Sequence, residues 1–250
     1  MNHTAVALVT GATSGIGVEI ARHLRDAGFL VAISGRSEAR GRAVAAELGA
    51  GTRFLAADLT LPGAATQLVE QVVTEFGRLD VLVNNAGIDH TQELLEVHDE
   101  EIDELFETNT FAAMKLLLAA GRKMRDQGDG GEIINITSRL ASVGVPTMGI
   151  YSATKGAMHA FTKAAAVDLA RFNIRVNSVA PGMTRTPLYE EWVNGLADPE
   201  AEAARVSAAI PLGRIAEPAD VAAAVAFLAS PGAAYITGAS IPVEGGYLAT

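Results

Sequence analysis

The sequence predicts one α/β domain in which helices cover both faces of a doubly wound, seven-stranded parallel sheet. Short runs rich in β-branched residues alternate with longer helical patterns along the 250 residues. The candidate strands are apolar throughout, which indicates burial on both faces, as in parallel sheets. No linker, low-complexity segment or internal repeat divides the chain, so residues 1–250 are expected to form a single domain.

Seven candidate strands and six candidate helices follow one another along the chain. The strands are predicted at residues 5–10, 29–34, 52–57, 81–84, 132–137, 174–179 and 236–243. The helices are predicted at residues 15–27, 37–48, 62–76, 99–126, 149–171 and 217–229. Prolines and a polar helical pattern interrupt the alternation at residues 183–211. Because loops at the carboxyl ends of parallel strands form the ligand site, we expect this segment to be a substrate-binding lid.

Composition narrows the classes of function. A net charge of −10 argues against nucleic-acid binding, and no apolar stretch is long enough to cross a bilayer, so we expect neither partner. The chain has no cysteine, which excludes disulfides and thiolate zinc sites, and we predict no metal. No basic leader precedes the first candidate strand, and we therefore expect a cytoplasmic protein.

A glycine-rich turn, TGATSGIG, joins the first strand to the first helix. Backbone N–H groups and the positive end of the helix dipole can bind a pyrophosphate there, and glycines let the backbone come close. A close-packed turn without a ligand would use the same glycines, but the position directly after the first strand favours dinucleotide binding. The expected contacts in this turn are Gly11, Thr13, Ser14, Gly15, Ile16 and Gly17.

The ends of the next three strands supply further candidate cofactor contacts. Gly35 and Arg36 follow the second strand, where an acidic residue would bond the adenosine ribose. Arg36 instead suits a 2′-phosphate, which a guanidinium binds through two hydrogen bonds, although a solvated arginine is the alternative. Asp58, followed by Leu59, could accept a hydrogen bond from the adenine amino group. The motif NNAG after the fourth strand adds Asn85, Ala86 and Gly87 to the candidates.

Four polar residues form a candidate catalytic set. In the stretch YSATK, Tyr151 and Lys155 are four positions apart, so they share one face of a helix. Ser138 ends the fifth strand, and Asn109 interrupts the apolar stripe of the helix predicted at 99–126. Taken singly, each residue has a structural explanation, such as a helical asparagine that bonds a backbone carbonyl.

Together these motifs resemble the classical short-chain dehydrogenases/reductases, and the resemblance covers essentially the whole chain. The resemblance implies a Rossmann fold, a nicotinamide cofactor and hydride transfer between that cofactor and a ketone or secondary alcohol. It implies that Tyr151 is the general acid/base, with a pKa lowered by Lys155, which also bonds the nicotinamide ribose. Ser138 would bond the developing oxyanion, and Asn109 would hold a water that links Lys155 to solvent.

The same resemblance refines the cofactor prediction. The motif PGMTRT matches a family segment that contacts the nicotinamide, which adds Pro181, Gly182, Thr184 and Thr186; Thr184 replaces the usual aliphatic residue. NAD-specific relatives carry an aspartate at the position of Gly35, and its absence removes the repulsion of a 2′-phosphate. Many NADP-dependent relatives place a second basic residue where this chain has Ser14. We therefore predict that NADP(H) is favoured over NAD(H), but only moderately.

Within the family the sequence is similar to the 3-oxoacyl-[acyl-carrier-protein] reductases, which leaves that activity as an alternative. Those enzymes meet the acidic carrier protein with basic residues before the fifth strand and near the end of the active-site helix. Here Asp129 and Glu132 stand at the former place, while Arg171 remains at the latter. Like charge opposes docking, so we expect a small free ketone or alcohol as substrate.

Two further classes of protein fit these motifs less well, and the resemblance also predicts the assembly. A non-catalytic dinucleotide-sensing protein is disfavoured, because Tyr151 and Lys155 are both intact. An epimerase or dehydratase is disfavoured, because such chains usually carry a larger C-terminal substrate domain than 250 residues provide. The family pairs subunits through the segments predicted here at 99–126, 149–171 and 217–243, which implies a homotetramer. The loop residues His90 and Arg139 could line the entrance of the site, but a solvated position is favoured for each.

Overall fold

A computed structural model describes residues 3–250, and its centre is one parallel sheet of seven strands in the order β3-β2-β1-β4-β5-β6-β7. The strands are β1 Val6–Thr10, β2 Leu30–Gly35, β3 Thr52–Ala56, β4 Val81–Asn84, β5 Gly131–Ile136, β6 Ile174–Pro181 and β7 Ser240–Val243. The strand order reverses between β1 and β4. This reversal opens a crevice at the carboxyl ends of the strands, where ligands bind in folds of this kind.

Nine α-helices are present in the described residues, and the longer ones cover both faces of the sheet. They are α1 Gly15–Asp26, α2 Glu38–Leu48, α3 Ala64–Phe76, α4 Asp99–Phe106, α5 Ala112–Gln127, α6 Gly149–Leu169, α7 Pro187–Asn194, α8 Pro199–Ala208 and α9 Pro218–Ala229. One face of the sheet packs on α3, α5 and α6, and the other packs on α1, α2 and α9. The predicted fold class, a doubly wound single domain, is therefore confirmed.

Element bounds differ from the predicted ones where local packing decides them. The predicted helix at 99–126 is divided by a π-helical turn, Glu107–Phe111, between α4 and α5. The last strand begins at Ser240 rather than at residue 236, after a one-turn 3₁₀ helix and a positive φ of 74° at Gly238. The edge strands β3 and β7 are partly exposed, because each has a neighbour on one side only.

The segment 183–211 folds into two short helices that carry a small core of their own. Both helices begin with a proline, and the residues before them, Thr186 and Asp198, accept hydrogen bonds from backbone amides of the first turn. Proline fits the first helical position because the amide it lacks has no partner there. A separate hydrophobic cluster joins the two helices to the rest of the domain through Tyr189, Val193, Val206, Ile210 and Ile215.

At the amino ends of the strands, the position of Glu132 contradicts one prediction about partners. Glu132 does not face a docking surface, because its side chain is buried and its Oε2 lies 2.8 Å from a guanidinium nitrogen of Arg175. Its Oε1 also accepts a hydrogen bond from Asn177 Nδ2 at 3.1 Å. Asp129 is more exposed and is paired with Arg78. Of these two acidic residues, only Asp129 therefore remains at the surface.

None of the helices within residues 3–250 combines the length and the apolarity that crossing a bilayer requires. The cytoplasmic location stays a prediction.

Candidate active site

A cavity of about 780 Å³ lies at the carboxyl ends of the central strands, beneath α7 and α8. It contains residues from the glycine-rich turn, the loops after β4, β5 and β6, the active-site helix α6 and the segment 183–211. The predicted site residues that line it are Ile16, Asn85, Gly87, Ser138, Tyr151, Lys155, Pro181, Gly182, Thr184 and Thr186. The fold thus brings together residues that are up to 170 positions apart in the sequence.

The glycine-rich turn has a backbone that side chains would obstruct. Gly11 and Gly15 have φ values of 63° and 57°, a region that favours glycine. A Cβ on Gly17 would lie 2.5 Å from the Gly11 carbonyl oxygen and 2.6 Å from Asn85 Nδ2. The glycine-rich turn therefore lies close against the loop after β4, and there is no room for a side chain at Gly17.

The start of α1 offers backbone donors to an anion. Ser14 precedes the helix, and its side chain makes no capping hydrogen bond; no acidic residue stands in the first turn. The first amides of the helix therefore have no side-chain acceptor, and the helix dipole adds a partial positive charge. The turn fits a pyrophosphate on these grounds, because its donors and its close backbone approach are both present.

Arg36 and Asp58 lie side by side at the edge of the crevice, because Gly35 pairs with Ala56 across β2 and β3. Asp58 Oδ1 accepts hydrogen bonds from the hydroxyl and the amide of Thr60, and these bonds, with a smaller contribution from Arg36, hold the pKa of Asp58 below its ordinary value. Arg36 is exposed and forms no ion pair with another residue of the described chain. Its charge is therefore free to meet a ligand.

The position of Gly35 has a steric constraint that the sequence does not reveal. A Cβ at Gly35 would lie 2.7 Å from the Thr13 methyl carbon, in the glycine-rich turn. The side chain of Thr13 thus occupies the place where a residue larger than glycine would extend. Leu59, next along this edge, packs against the core beneath α3.

The asparagines at the end of β4 tie neighbouring strands and loops together. Asn84 Nδ2 donates to Asn135 Oδ1 at 2.9 Å, and Asn85 Nδ2 donates to the Thr10 carbonyl at 2.9 Å. The amides of Asn85 and Ala86 both donate to the Thr10 hydroxyl oxygen. The end of β1 and the end of β4 are therefore held as one unit beside the cavity.

Asn109 is buried in the π-helical turn and bonds the loop after β4. Its Oδ1 accepts from the Ile88 amide at 2.7 Å, and its Nδ2 donates to the Ile88 carbonyl at 2.9 Å. A Cβ on Gly87 would lie 3.0 Å from Asn109 Oδ1 and 3.5 Å from Lys155 Nζ. Asn109 therefore stands next to Lys155, with its side-chain amide engaged by the backbone of the loop.

Ser138, Tyr151 and Lys155 meet at the floor of the cavity. Lys155 Nζ is buried, donates to the Ile136 carbonyl at 3.1 Å and lies 5.6 Å from the centre of the Tyr151 ring. Ser138 Oγ accepts from the Leu140 amide, which leaves its proton free to donate toward the cavity. The shared helical face predicted for Tyr151 and Lys155 is thus present in α6.

Burial, rather than the neighbouring ammonium, governs the acidity of these groups. Burial raises the pKa of Tyr151, Asp89 raises it further, and only the Ser138 hydroxyl opposes them. Burial also lowers the pKa of Lys155 to about 8, which Asp89 partly offsets. The pKa of Tyr151 is therefore shifted upward overall, in the direction that desolvation favours, and the lowering of this pKa by Lys155 stays a prediction.

The loop after β6 lines the other side of the cavity. The Thr184 hydroxyl donates to the Gly182 carbonyl at 3.1 Å, and the Thr184 backbone pairs with Ala216. The Thr186 hydroxyl accepts from the Tyr189 amide, and its methyl carbon would lie 3.4 Å from a Cβ on Gly15. Thr186 thus links the glycine-rich turn to the first helix of the segment 183–211.

Sequence reasoning missed two residues at the site and favoured the wrong alternative for a third. Asp89 lines the cavity and acts on both Tyr151 and Lys155; Tyr247 reaches the cavity from the C-terminal segment. Arg139 also lines the cavity, so its predicted solvation is wrong. His90 is not solvated either: its ring bonds Glu101, and the imidazole is only 14% exposed. No sequence signal could have placed them, because each position depends on the path of a loop.

Comparisons with known proteins agree with this geometry. A family model described as enoyl-(acyl carrier protein) reductase matches residues 11–248. L-fucose dehydrogenase of Bos taurus is 42% identical over 245 residues, which are 96% of this chain and 88% of the relative. A solved short chain dehydrogenase/reductase family protein is 39% identical, with a TM-score of 0.87 over 98% of this chain and 97% of the other. A variant of actinorhodin polyketide ketoreductase, solved with NADPH, is 38% identical, with a TM-score of 0.91 over 98% and 97%.

Proposed function

The chain belongs to the short-chain dehydrogenase/reductase family, and we propose that it acts on small free substrates with NADP(H) favoured over NAD(H). It is an oxidoreductase that transfers a hydride between a nicotinamide cofactor and a ketone or secondary alcohol. The observation that carries the proposal is the cavity in which Ser138, Tyr151 and Lys155 meet beside the glycine-rich turn. The segment 183–211 is proposed to be the substrate lid, because its two helices cover this cavity.

In the proposed mechanism each residue has one task. Tyr151 gives its proton to the carbonyl oxygen during reduction, and its raised pKa keeps the phenol in the protonated form that this step needs. Ser138 donates a hydrogen bond to the same oxygen as charge develops there. Lys155 and Asn109 hold the tyrosine and the loop after β4 in place, with a water between them and solvent. When bound, the nicotinamide supplies or accepts the hydride.

The remaining predicted contacts are proposed to hold the cofactor. The glycine-rich turn and the start of α1 would bind the pyrophosphate, Asp58 and Leu59 the adenine, and Arg36 the 2′-phosphate. The residues after β4 and β6 would surround the nicotinamide, with Lys155 on its ribose. The free charge of Arg36 and the absence of a carboxylate at Gly35 support the preference for NADP(H).

Arg36→Ala is expected to lower kcat/KM for NADPH by about tenfold to a hundredfold, because a charge-assisted hydrogen bond contributes about 1.5–3 kcal/mol. The value for NADH should change less than about threefold, since NADH has no 2′-phosphate to lose a contact. The measurement is kcat/KM for both cofactors at fixed ionic strength. Arg42→Ala is the matched control, because Arg42 lies on α2, the helix that follows Arg36, but is paired with Glu38. Equal losses with both cofactors in Arg36→Ala would contradict the assignment.

Asp89→Asn is expected to move the pH profile of alcohol oxidation to lower pH. The negative charge of Asp89 raises the pKa of Tyr151 and of Lys155, so removing it lowers both. The tyrosine then reaches its basic form, which oxidation requires, at a lower pH. The measurement is kcat/KM against pH, with Glu93→Gln as a control that removes one exposed charge from the same loop. A profile that stays in place or moves to higher pH would refute the role of Asp89.

A substrate panel tests the function itself. Small diketones, cyclic ketones and secondary alcohols would be assayed with both cofactors and compared with a 3-oxoacyl thioester, free and on acyl-carrier protein. We expect turnover of small ketones and no advantage from the carrier, since Asp129 is acidic where a carrier-binding enzyme needs a base. A kcat/KM that is orders of magnitude higher for the carrier-bound thioester would favour the alternative activity, that of a 3-oxoacyl-[acyl-carrier-protein] reductase. Cofactor binding without any turnover would favour the non-catalytic sensor.

We propose a homotetramer, because large apolar side chains are exposed on the helices that the family uses for assembly. Phe111, Leu118 and Val167 are 46%, 48% and 79% exposed on the π turn, α5 and α6. Phe227 on α9 is 46% exposed, and Tyr235 beyond it is fully exposed. Symmetric association would bury both surfaces. Light scattering at micromolar concentration should give about four times the chain mass of 25.9 kDa; a monomeric mass would contradict the proposal.

A further inference from the structure

Arg139 is a cation of the cavity wall that the mechanism above does not use. It follows Ser138 directly and begins a one-turn 3₁₀ helix, Arg139–Ala141. Its guanidinium carbon lies 3.9 Å from the centre of the Tyr247 ring, and both residues line the cavity. Stacking on an aromatic ring uses the face of a guanidinium and leaves the N–H groups along its edge available.

No counter-ion neutralises Arg139 in the part of the chain that the structure describes. Its side chain is half-buried and makes no hydrogen bond or ion pair with residues 3–250. The charge of Glu244 acts on Arg139, but no ion pair joins the two, and Glu244 Oε2 accepts from the Leu248 amide. Burial lowers the pKa of Arg139, and Tyr247 and Glu244 only partly oppose this effect. The cation is thus partly desolvated without receiving a partner in return.

The other arginines around the cavity differ in this respect. Arg205 also lines the cavity, but it bonds both carboxylate oxygens of Glu202. Arg185, at the base of α7, is paired with Glu190 and Glu217. The remaining charges at the cavity wall are Lys155 and Asp89, whose effects on Tyr151 were described above. Arg139 is therefore the charged group of the wall that is available for a substrate.

We infer that Arg139 binds a carboxylate of the substrate, so that the preferred substrates are oxo acids and the matching hydroxy acids. A guanidinium edge matches a carboxylate through two parallel hydrogen bonds, and a partly desolvated cation gains more from an anion than from a neutral hydroxyl. The inference rests on the proposed function, because the ketone of the same molecule must reach Tyr151. The carboxylate itself is unchanged: hydride goes to the carbonyl carbon and the proton of Tyr151 to its oxygen.

The test compares acids with their neutral methyl esters. The probes are 2-oxobutanoate, 3-oxobutanoate, 4-oxopentanoate and 5-oxohexanoate, because the series varies the distance between ketone and carboxylate. For at least one chain length the wild type should prefer the acid over the ester by about tenfold or more in kcat/KM, the size of one charge-assisted hydrogen bond. Arg139→Met should lose that preference through a raised KM for the acid, with less than about a threefold change for the ester. Arg139→Lys should keep part of it.

Controls separate substrate binding from a structural role of Arg139. Arg214→Met removes an arginine that is paired with Asp220 outside the cavity, and it should leave kcat/KM for both substrates within about threefold. Calorimetric titration of the best acid into enzyme saturated with NADP⁺ should show the same loss of affinity in Arg139→Met as the KM does. Equal losses for acid and ester would mean that Arg139 only holds the C-terminal segment through Tyr247, and would overturn the inference.

The comparison of acids with esters in the wild type needs no variant, so the inference can be tested even if Arg139→Met does not fold. A wild type that treats every acid and ester alike would overturn the inference. Turnover of neutral 2,3-butanedione but of none of the acids would overturn it as well, and would leave the proposed function standing. A protein that turns over none of these compounds with either cofactor would refute the proposed function, and the inference with it.

Discussion

Replacing Tyr151 by phenylalanine is expected to lower kcat by on the order of 10³-fold, while the affinity for the cofactor changes by less than about twofold. The change removes a single oxygen atom, so the packing of the ring in α6 is kept. What is lost is the proton that the carbonyl oxygen must receive during reduction. Ser138 cannot replace it, because a serine hydroxyl is a far weaker acid than a phenol. Lys155 stays on the Ile136 carbonyl and keeps its place beneath the cofactor site.

The matched control is Tyr189→Phe. Tyr189 lines the same cavity from α7, and its hydroxyl is buried without a hydrogen-bond partner among the described residues. Removing that hydroxyl should leave kcat within about threefold, since a polar group without a partner contributes nothing to lose. The measurements are kcat and KM on one small ketone and the dissociation constant of NADPH from fluorescence. Substantial activity in Tyr151→Phe, or equal losses in both variants, would remove Tyr151 from the acid/base role.

The sequence was informative about the site wherever chemistry depends on short spacing. The glycine-rich turn and the pair Tyr151 and Lys155 are local patterns, and the structure places them as predicted because a strand-to-helix turn and one helical turn fix their geometry. The ends of β1 and β4 followed from the alternation of strands and helices. These features need no knowledge of which elements pack against each other.

The sequence was uninformative where distant segments decide the environment of a group. The pKa of Tyr151 depends on burial beneath α7 and α8 and on Asp89, neither of which can be read from the motif YSATK. Arg139 becomes a cavity residue only because Tyr247, 108 positions later, folds back onto it. The π-helical turn around Asn109 is likewise set by its contact with Ile88.

Glu132 illustrates the same limit for stability, and it leads to the second large prediction. An acidic residue at the start of a strand is typical of a surface position, yet Glu132 is buried in β5 and paired with Arg175 at the amino end of the neighbouring strand. Arg175 also donates to the carbonyls of Leu228, Ala233 and Ile236, so one guanidinium joins the sheet to the segment after α9. Burial raises the pKa of Glu132, while Arg175 and Asn177 oppose that effect.

Arg175→Met is expected to lower the free energy of unfolding by about 3–5 kcal/mol above the Glu132 pKa of about 8, because the ionised and buried Glu132 then lacks its partner. The three carbonyls also lose their donor. Without the guanidinium the pKa of Glu132 rises further, so its folded-state proton is held to higher pH. A group with a raised folded-state pKa contributes stability below its unfolded-state pKa, and this stability is lost as the pH rises through the folded-state pKa. In the variant this loss continues to higher pH, so its deficit in unfolding free energy should be larger at pH 9 than at pH 6.

Urea unfolding at one fixed protein concentration measures these differences, because assembly makes stability depend on concentration. Arg53→Met is the control: its pair with Glu75 is exposed, and its loss should cost no more than about 1 kcal/mol. The double change Arg175→Met with Glu132→Gln should recover part of the deficit and remove its dependence on pH, since the buried carboxylate is then absent. A double variant as pH-dependent as Arg175→Met would show that the ion pair is not the cause. Recovery would establish that Glu132, at the start of β5, serves the fold, which leaves the choice of substrate to the residues at the opposite end of the sheet.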